Sequence, residues 1–598
     1  MIAAYARWIS VRARAWAIVA LTLLWAAVSG ALSLSVEQDD DVLKFLPQSN
    51  PDIRAFYEIN EAFGSTDVAI VGVRASDVFN ADFLGRLRAA TSEIKGTPGV
   101  DHVLSLTNVA DFQKDTVNGG IVSGNLITDL PTDVASSQAL REKVMSRDHV
   151  VGNLVSAQGD AVVLYAWVGP NESPREVAGR VRAAVERHFP SDDKVWGGGP
   201  FISDFIYTAT QHDMARLTPW SIITILIIVL LAFRDLLGTV LGLVATGIGI
   251  TTARALMVIA GVPFNIVLSS MPVILFAAGS AYAIHMLSRY YAHAERLGPG
   301  AAAVEAALVG TTRNVVTAGL TTVAGLWSFL LMDIEPMRVF GLFTGIGLIA
   351  ALLMSLTLVP AVMVLFPRPA RASLGKEISA RTRELAVLAR ERRSLSLALM
   401  GGVVIVGAVF AGRVDTRMDL SAFFRPDSEP AQSQAFLEER FGGSQFIQIR
   451  VQGDLEDPLV LREVARVADR LQVIPHVSGV QGVHEAMEII NDAMSGARRV
   501  PDTSGQAGVL YRFLSSDPAV QRLITDARDQ ALLVVKIDVN DADTIDAVLA
   551  AVEGEIERGA MHTIAASPAS GDPSRASIAG LVTARLGALA ERFGVALP

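Results

Sequence analysis

Apolar residues in this chain gather into seven long runs, at about 15–35, 217–233, 236–260, 264–288, 314–332, 339–366 and 394–412. Each is long enough for a helix to cross a hydrocarbon core of about 30 Å at about 1.5 Å per residue. A long polar stretch separates the first two runs, and another follows the seventh. Within the first stretch the pattern changes period. TDVAIVGV (66–73) alternates as a strand does, Asn80 can cap a helix through Lys95, and VDHVLS (100–105) reads as the next strand. AVVLYAWV (161–168) is a further strand and 174–189 an amphipathic helix. Strands alternating with helices predict a compact α/β domain.

The two polar regions repeat one another. DVLKFLPQSNP (41–51) returns as DLSAFFRPDSEP (419–430), pairing Phe45 with Phe423, Pro47 with Pro426 and Pro51 with Pro430. Phe63-Gly64 then matches Phe441-Gly442, and Pro98-Gly99-Val100 matches Ser478-Gly479-Val480, at an offset of 378 to 380 residues. A fixed long period of this kind marks a tandem duplication. It predicts that the first apolar run is a retained helix, although Ser29, Gly30 and Ala31 also fit a signal-peptide cleavage site. It also predicts an eighth span beginning near residue 596, so spans eight to twelve of the full repeat are expected to be missing.

Composition sharpens this picture. The 598 residues are 51% hydrophobic and 19% charged, with a mean hydropathy of +0.40; soluble domains carry about 25% charged residues. Where the charges lie says more than their net of −10. Arg7, Arg12, Arg14, Arg234, Arg289 and Arg296, with eight basic against three acidic residues in 367–393, all fall on one side when the spans alternate. The basic side is the cytoplasmic one. Both polar regions then face outward from a bacterial inner (cytoplasmic) membrane, with the N-terminus inside. The expected domains are 1–35, 36–215, 216–366, 367–393, 394–412 and 413–598, and 376–393 reads as an amphipathic surface helix.

No cysteine is present, which excludes disulfides, thiol nucleophiles and Cys-based metal centres. The nine histidines lack a His-Glu-x-x-His spacing, and no phosphate-binding G-x-x-x-x-G-K-[ST] or G-x-S-x-G occurs. These absences point away from an enzyme, an ATP-driven pump, a metal site or any cofactor, and no feature calls for nucleic acid.

Short stretches then carry a resemblance. LAFRD (231–235), GVPFN (261–265), GSAYAIH (279–285), TAGLTTVAG (317–325) and FGLFTGIG (340–347), with the tandem repeat, resemble the lipid-exporter branch (MMPL-type and hydrophobe/amphiphile exporters) of the RND superfamily. Spans two to six also resemble the sterol-sensing unit. The resemblance implies a polytopic α-helical membrane protein with two extracytoplasmic, ferredoxin-like α/β porter domains. It implies proton-driven export of a hydrophobic or amphiphilic, lipid-like substrate, contacts with membrane lipids, a homo-oligomer (dimer or trimer) and periplasmic accessory proteins. The family's fourth-span G-x-D-Y motif is matched at Gly279 and Tyr282, but Ala281 stands at the Asp position. The alternatives are a non-energised lipid- or sterol-binding or sensing protein, or a half-transporter needing a partner.

The polar residues at membrane depth each have two readings. His285 can form a proton relay with Tyr282, Ser280, Thr317 and Thr321, and with Thr322 if span five packs alongside, or it can be an interfacial histidine one turn before Arg289. Thr317, Thr321 and Gly325 share a face, which also suits close helix packing. Arg254 can meet a substrate headgroup or snorkel to the interface. Asp333 and Glu335 read as a solvated turn, and Gly238, Gly242, Gly341, Gly345 and Gly347 as close-packing faces. Gly197 to Pro200 reads as a hinge into span two.

Overall fold

The computed structural model describes residues 2–37, 49–64, 67–114, 121–170, 172–233, 235–369, 387–413, 424–514, 520, 522–539 and 541–559. Much of the first repeat motif, including Phe45, Pro47 and Phe423, lies outside them, as do most of the predicted 376–393 helix and the predicted eighth span.

In chain order the helices begin with α1 (Ile2–Ile9), α2 (Arg12–Ser33) and α3 (Pro51–Phe63), then β1 (Val68–Arg74), α4 (Ala81–Lys95), β2 (Val100–Leu104), β3 (Ala110–Lys114) and β4 (Ile121–Asn125). The first polar region closes with α5 (Val134–Met145), β5 (Ala161–Val168), α6 (Pro174–His188) and β6 (Lys194–Gly197). The apolar block is α7 (Gly199–Phe233), α8 (Leu236–Ala260), α9 (Met271–Leu297), α10 (Ala301–Trp327), α11 (Glu335–Leu365) and α12 (Arg393–Ala411). The second polar region has α13 (Glu429–Phe441), β7 (Gln445–Gln452), α14 (Pro458–Gln472), β8 (Val477–Gln481), α15 (Val483–Ser495), α16 (Ser504–Leu514), β9 (Gln530–Ile537) and α17 (Ala542–Gly559). Contacts divide the chain into a helical unit (Met1–Arg54 with Ile206–Thr416) and an α/β unit (Ala55–Phe205 with Arg417–Pro598).

In the helical unit, α2, α8, α12 and the segments Ile266–Leu297, Ala301–Leu331 and Glu335–Leu365 are long and apolar enough to cross a membrane. The remaining expected span, 217–233, is the second half of the 35-residue α7. Helices outrun their apolar runs: α10 starts thirteen residues before the expected 314, because seven of the ten residues of AAAVEAALVG (301–310) are strong helix formers. The short α1 carried no readable period, yet it buries Ala6 and Ile9, and Tyr5 Oη donates to the Leu356 carbonyl at 2.9 Å.

Helix ends explain two of the quoted motifs. Asp235 of LAFRD caps α8, accepting from the Gly238 N–H at 3.1 Å. In GVPFN, Gly261 ends α8 at a φ of 64°, where a side chain would be strained, and Asn265 caps the 3-10 turn Ile266–Ser270 through the Leu268 N–H at 3.2 Å. Small residues then let backbones meet. A Cβ on Gly249 would lie 2.6 Å from the Gly347 carbonyl oxygen, and one on Gly347 would lie 2.7 Å from Leu275 Cδ1. Gly341 faces the Leu326 carbonyl, Gly345 the Trp327 indole, Gly242 the Ala283 methyl and Gly238 the Tyr291 hydroxyl. All five expected close-packing glycines are therefore at helix contacts.

The α/β unit contains both copies. In the first, strands pair antiparallel in the order β2-β5-β1-β6, the split β-α-β arrangement of a ferredoxin-like sheet. In the second the order is β7-β9-β8, so β7, β8 and β9 repeat β1, β2 and β5. Even the irregularity recurs: the ladder slips by one residue between Val100 and His102, and again between Val477 and Gly479.

That slip corrects one expected match. Pro98-Gly99-Val100 is equivalent to Pro475-His476-Val477, not to Ser478-Gly479-Val480. Gly99 and His476 both take left-handed backbone, at φ of 85° and 71°, one residue before their strands. His476 tolerates it by bonding Asp538 through Nδ1 at 3.0 Å. The sequence match had followed a Gly-Val pair rather than the turn.

The copies also exchange their leading helices. α13, which opens the second copy, lies on the first copy's sheet, where Phe436 and Leu437 pack with Ile70, Val163 and Val195. α3, which opens the first, packs Ile59 and Phe63 against Leu532 of the second copy's β9. At the expected hinge, Gly197 to Pro200, the chain turns from β6, which ends at Gly197, into α7. Gly198 has a φ of 82°, and α7 begins at Gly199 with Pro200 in its first turn.

His484 is buried in the second copy, and its Nδ1 lacks a hydrogen-bond partner among the described residues. Burial pushes its pKa down to about 4, against 6.5 in the free side chain. Below pH 6.5 the unfolded chain takes up a proton that the folded one refuses. Stability from this position is thus full above pH 6.5 and lost as pH falls through 4, a span of about 3 kcal/mol. Melting of the detergent-solubilised protein at pH 7.5 and 4.5 should show that His484→Leu flattens the pH dependence. Identical pH slopes in the variant and parent would contradict this.

Candidate functional site

The predicted relay residues sit on α9 and α10, and the structure sorts them onto different surfaces. Tyr282 is buried, its ring over Gly319 of α10, whose Cβ position is 3.5 Å from Tyr282 Cζ. Its hydroxyl faces Thr322 but makes no hydrogen bond of ordinary geometry. Ser280 is buried and bonds only its own helix, at 3.4 Å to the Ala277 carbonyl. Thr317 and Thr321 are exposed and bond back to the Arg313 and Ala318 carbonyls, both at 2.9 Å. His285 is exposed and has no hydrogen-bond partner among the described residues. The structure thus brings Tyr282 to Thr322 rather than to Thr321, while His285, three residues further along α9, is exposed. Helical geometry is the reason: one residue turns the side chain by about 100°.

Arg254 on α8 stacks its guanidinium over Phe264 of the GVPFN turn, 5.3 Å from the ring centre, with Nε buried and unbonded. Asp333 and Glu335 are exposed, and Asp333 accepts from the Ser49 N–H at 3.2 Å. Sequence reasoning passed over Asp235. It is the one buried carboxylate among the described residues of the helical unit, held by the Gly238 N–H and by Tyr291 Oη at 2.5 Å. Its signal was its place, directly after an apolar run and before a helix.

The α/β unit holds a second candidate that no motif announced. A cavity of about 630 Å³ lies among the strands of the two copies. Tyr165 and Trp167 line it from β5, Leu532, Val534 and Lys536 from β9, and Phe446 from β7. Strand alternation explains the set. On β5 the intervening residues Leu164 and Ala166 are buried in the first copy's core, and on β9 Leu533 and Val535 are buried in the second's.

The duplication sets two unlike residues at equivalent places. The register Trp167↔His102 in one copy matches Lys536↔Gly479 in the other, so the walls differ where symmetry would make them alike. Around Trp167 the His102 ring lies 5.5 Å away, and Arg522, ion-paired with Asp101, stands over the indole at 5.5 Å. Lys536 bonds backbone instead, donating to the Gly152 carbonyl at 3.1 Å and to the Phe441 carbonyl. Gln448 Oε1, on the same wall, is buried without a donor among the described residues. Burial also raises the Glu485 carboxyl above its usual range and lowers the His149 imidazole. Apolar walls with a few fixed polar groups are what an amphiphile's binding site requires.

A helical membrane unit joined to duplicated ferredoxin-like domains defines an RND-type membrane protein. The sequence profile of the MMPL family matches residues 45–392, more than half of the chain, and the chain belongs to that family. It is 25% identical over 360 residues to a membrane protein of Methanocaldococcus jannaschii, covering 58% of this chain and 90% of that one. It is 22% identical over 492 residues to the sulfolipid-1 exporter MmpL8 of Mycobacterium tuberculosis, covering 79% of this chain and 42% of MmpL8. With the membrane protein YdfJ of Bacillus subtilis the identity is 27% over 346 residues, 55% of this chain and 47% of YdfJ. The chain thus spans about half or less of the length of the MmpL8 and YdfJ relatives. Members of this family are transporters rather than enzymes.

Proposed function

We propose that this chain acts in proton-driven export of a hydrophobic or amphiphilic, lipid-like molecule, and that the cavity of the α/β unit is a station on its route. The observation that carries the reading is the cavity itself, apolar over most of its wall and furnished with Lys536 and Gln448. The sulfolipid exporter among the relatives supports a lipid-like cargo. The Lys and Arg distribution supports an inner-membrane protein with a cytoplasmic N-terminus and outward α/β domains. Assembly as a dimer or trimer, with periplasmic accessory proteins, belongs to the same reading.

A second reading keeps the lipid and drops the energy. Ala281 stands where the family has a carboxylate, and His285 is exposed whereas Tyr282 is buried, which favours a non-energised lipid-binding or sensing protein. Proteoliposomes with an imposed pH gradient and a fluorescent amphiphile separate the two. Transfer should stop when an ionophore collapses the gradient. Ala486→Trp, which fills the cavity from α15, should slow it by at least about tenfold, a loss of about 1.4 kcal/mol or more. Transfer indifferent to the gradient would remove proton drive and leave the sensing reading. Undiminished transfer in the Trp variant would take the cavity off the route.

A further inference from the structure

A second cavity of about 510 Å³ adjoins the first, and the two share a wall made of Asn153, Gln481, Glu485 and Lys536. Their linings differ in kind. The first is faced by Trp167, Phe446 and Leu532, whereas the second is faced by Gln158, Glu438, Glu439, Arg440 and Gln472. An amphiphile with its tail in the first cavity would have its polar head at the shared wall, beside Lys536.

The charges around that wall are mostly cancelled. Arg440 pairs with Asp160 and, at 3.4 Å, with Glu439; Asp148 pairs with Arg498 at 3.1 Å, and Arg522 with Asp101. Lys536 differs. It is only 5% exposed, yet no carboxylate lies within ion-pair distance of it among the described residues. Two carbonyls take two of the three protons on its ammonium. A buried cation without a counter-ion is costly, and an anion brought by a ligand removes that cost.

We infer that the molecule held in this cavity is an anionic amphiphile, its phosphate, sulfate or carboxylate head received by Lys536 on the shared wall and its tail lying along Trp167, Phe446 and Leu532. The inference rests on the cavity being the substrate station. Burial lowers the Lys536 ammonium to about 8, which still leaves it charged at neutral pH. Burial drives Glu485 the other way, towards its neutral form.

The test uses the full chain in nanodiscs of zwitterionic lipid, with octyl phosphate, octyl glucoside and octyltrimethylammonium as probes of matched tail. The readout is the fluorescence change that disappears in Trp167→Phe, so that it reports this cavity. Octyl phosphate should bind at least about tenfold more tightly than the other two, the scale of a charge-assisted hydrogen bond. Lys536→Met should erase that preference while octyl glucoside still binds, and Lys536→Arg should keep it. A preference that survives Lys536→Met, or is lost in Lys536→Arg, overturns the assignment. So does loss of all three probes in Lys536→Met, which would make the lysine a staple between Gly152 and Phe441 only. Absence of any Trp167-dependent signal in the parent protein would instead overturn the cavity as the substrate station.

Discussion

Gly249→Val is expected to unfold the helical unit's α8–α11 contact, at a cost of about 3 kcal/mol or more, the upper end for overpacking. A Cβ there would lie 2.6 Å from the Gly347 carbonyl oxygen, 3.0 Å from the Ala351 Cβ and 3.1 Å from the Ala351 backbone nitrogen. These are atoms of a facing helix whose own hydrogen bonds hold them, so no rotamer change relieves the clash. The helices must move apart, and α11 is the most buried candidate span, at 78% of its apolar window. Gly247→Val is the matched control, since nothing lies within 4 Å of its Cβ position on the same helix. Both variants make the same small gain in helix propensity, so that term cancels in the comparison. Thermal unfolding in detergent should show a large drop for position 249 and a small one for 247. Equal melting temperatures would sink the claim that backbone contact, rather than composition, sets this crossing.

Phe436→Ala should cost about 3–5 kcal/mol, as for other fully buried phenyl groups. The informative part is where the damage appears. Phe436 belongs to the second copy by sequence but is buried on the first copy's sheet, where a Cβ on Gly72 would come within 2.2 Å of its ring. The Arg74 guanidinium also lies against the ring, 4.9 Å from its centroid. Removing the ring leaves a void over β1 and β6. Amide hydrogen exchange should therefore accelerate in β1 and β6, in the other copy, while β7 and β9 keep their protection. Acceleration confined to β7 and β9 would mean that α13 serves its own copy and that the helix exchange is wrong.

The membrane helices were legible because a twenty-residue apolar run has few other uses; the caps at Asp235, Gly261 and Asn265 that fix their ends emerged only from the structure. The first copy's strands were legible for a similar reason: AVVLYAWV became β5 over the same residues, Ala161–Val168. The repeat was legible as an ordered set of matches, but its register was not. A Gly and a His can occupy the same left-handed position, and no letter-by-letter comparison of Gly99 with His476 reveals it.

The candidate site divides along the same line. The sequence marked Tyr282 as a polar group in an apolar helix, which needs only local information. It could not say that Thr322 rather than Thr321 would face it, because that depends on the rotation of α10 against α9. The cavity was invisible for a stronger reason. Trp167 and Lys536 are 369 positions apart and belong to strands that each read as ordinary apolar core sheet.

By itself, then, the sequence determined the properties carried by runs and spacings: the membrane spans, the duplication, the α/β character of both polar regions and the family resemblance. Those follow from hydrophobic period and helix-end chemistry, which act within a turn or two of the chain. The tertiary structure alone decided which copy each leading helix covers, where Gly249 meets Gly347, and that Lys536 is buried without a counter-charge beside a cavity walled by Trp167. Those depend on pairs of surfaces brought together from distant segments, and packing complementarity of that kind leaves no periodic trace in either segment.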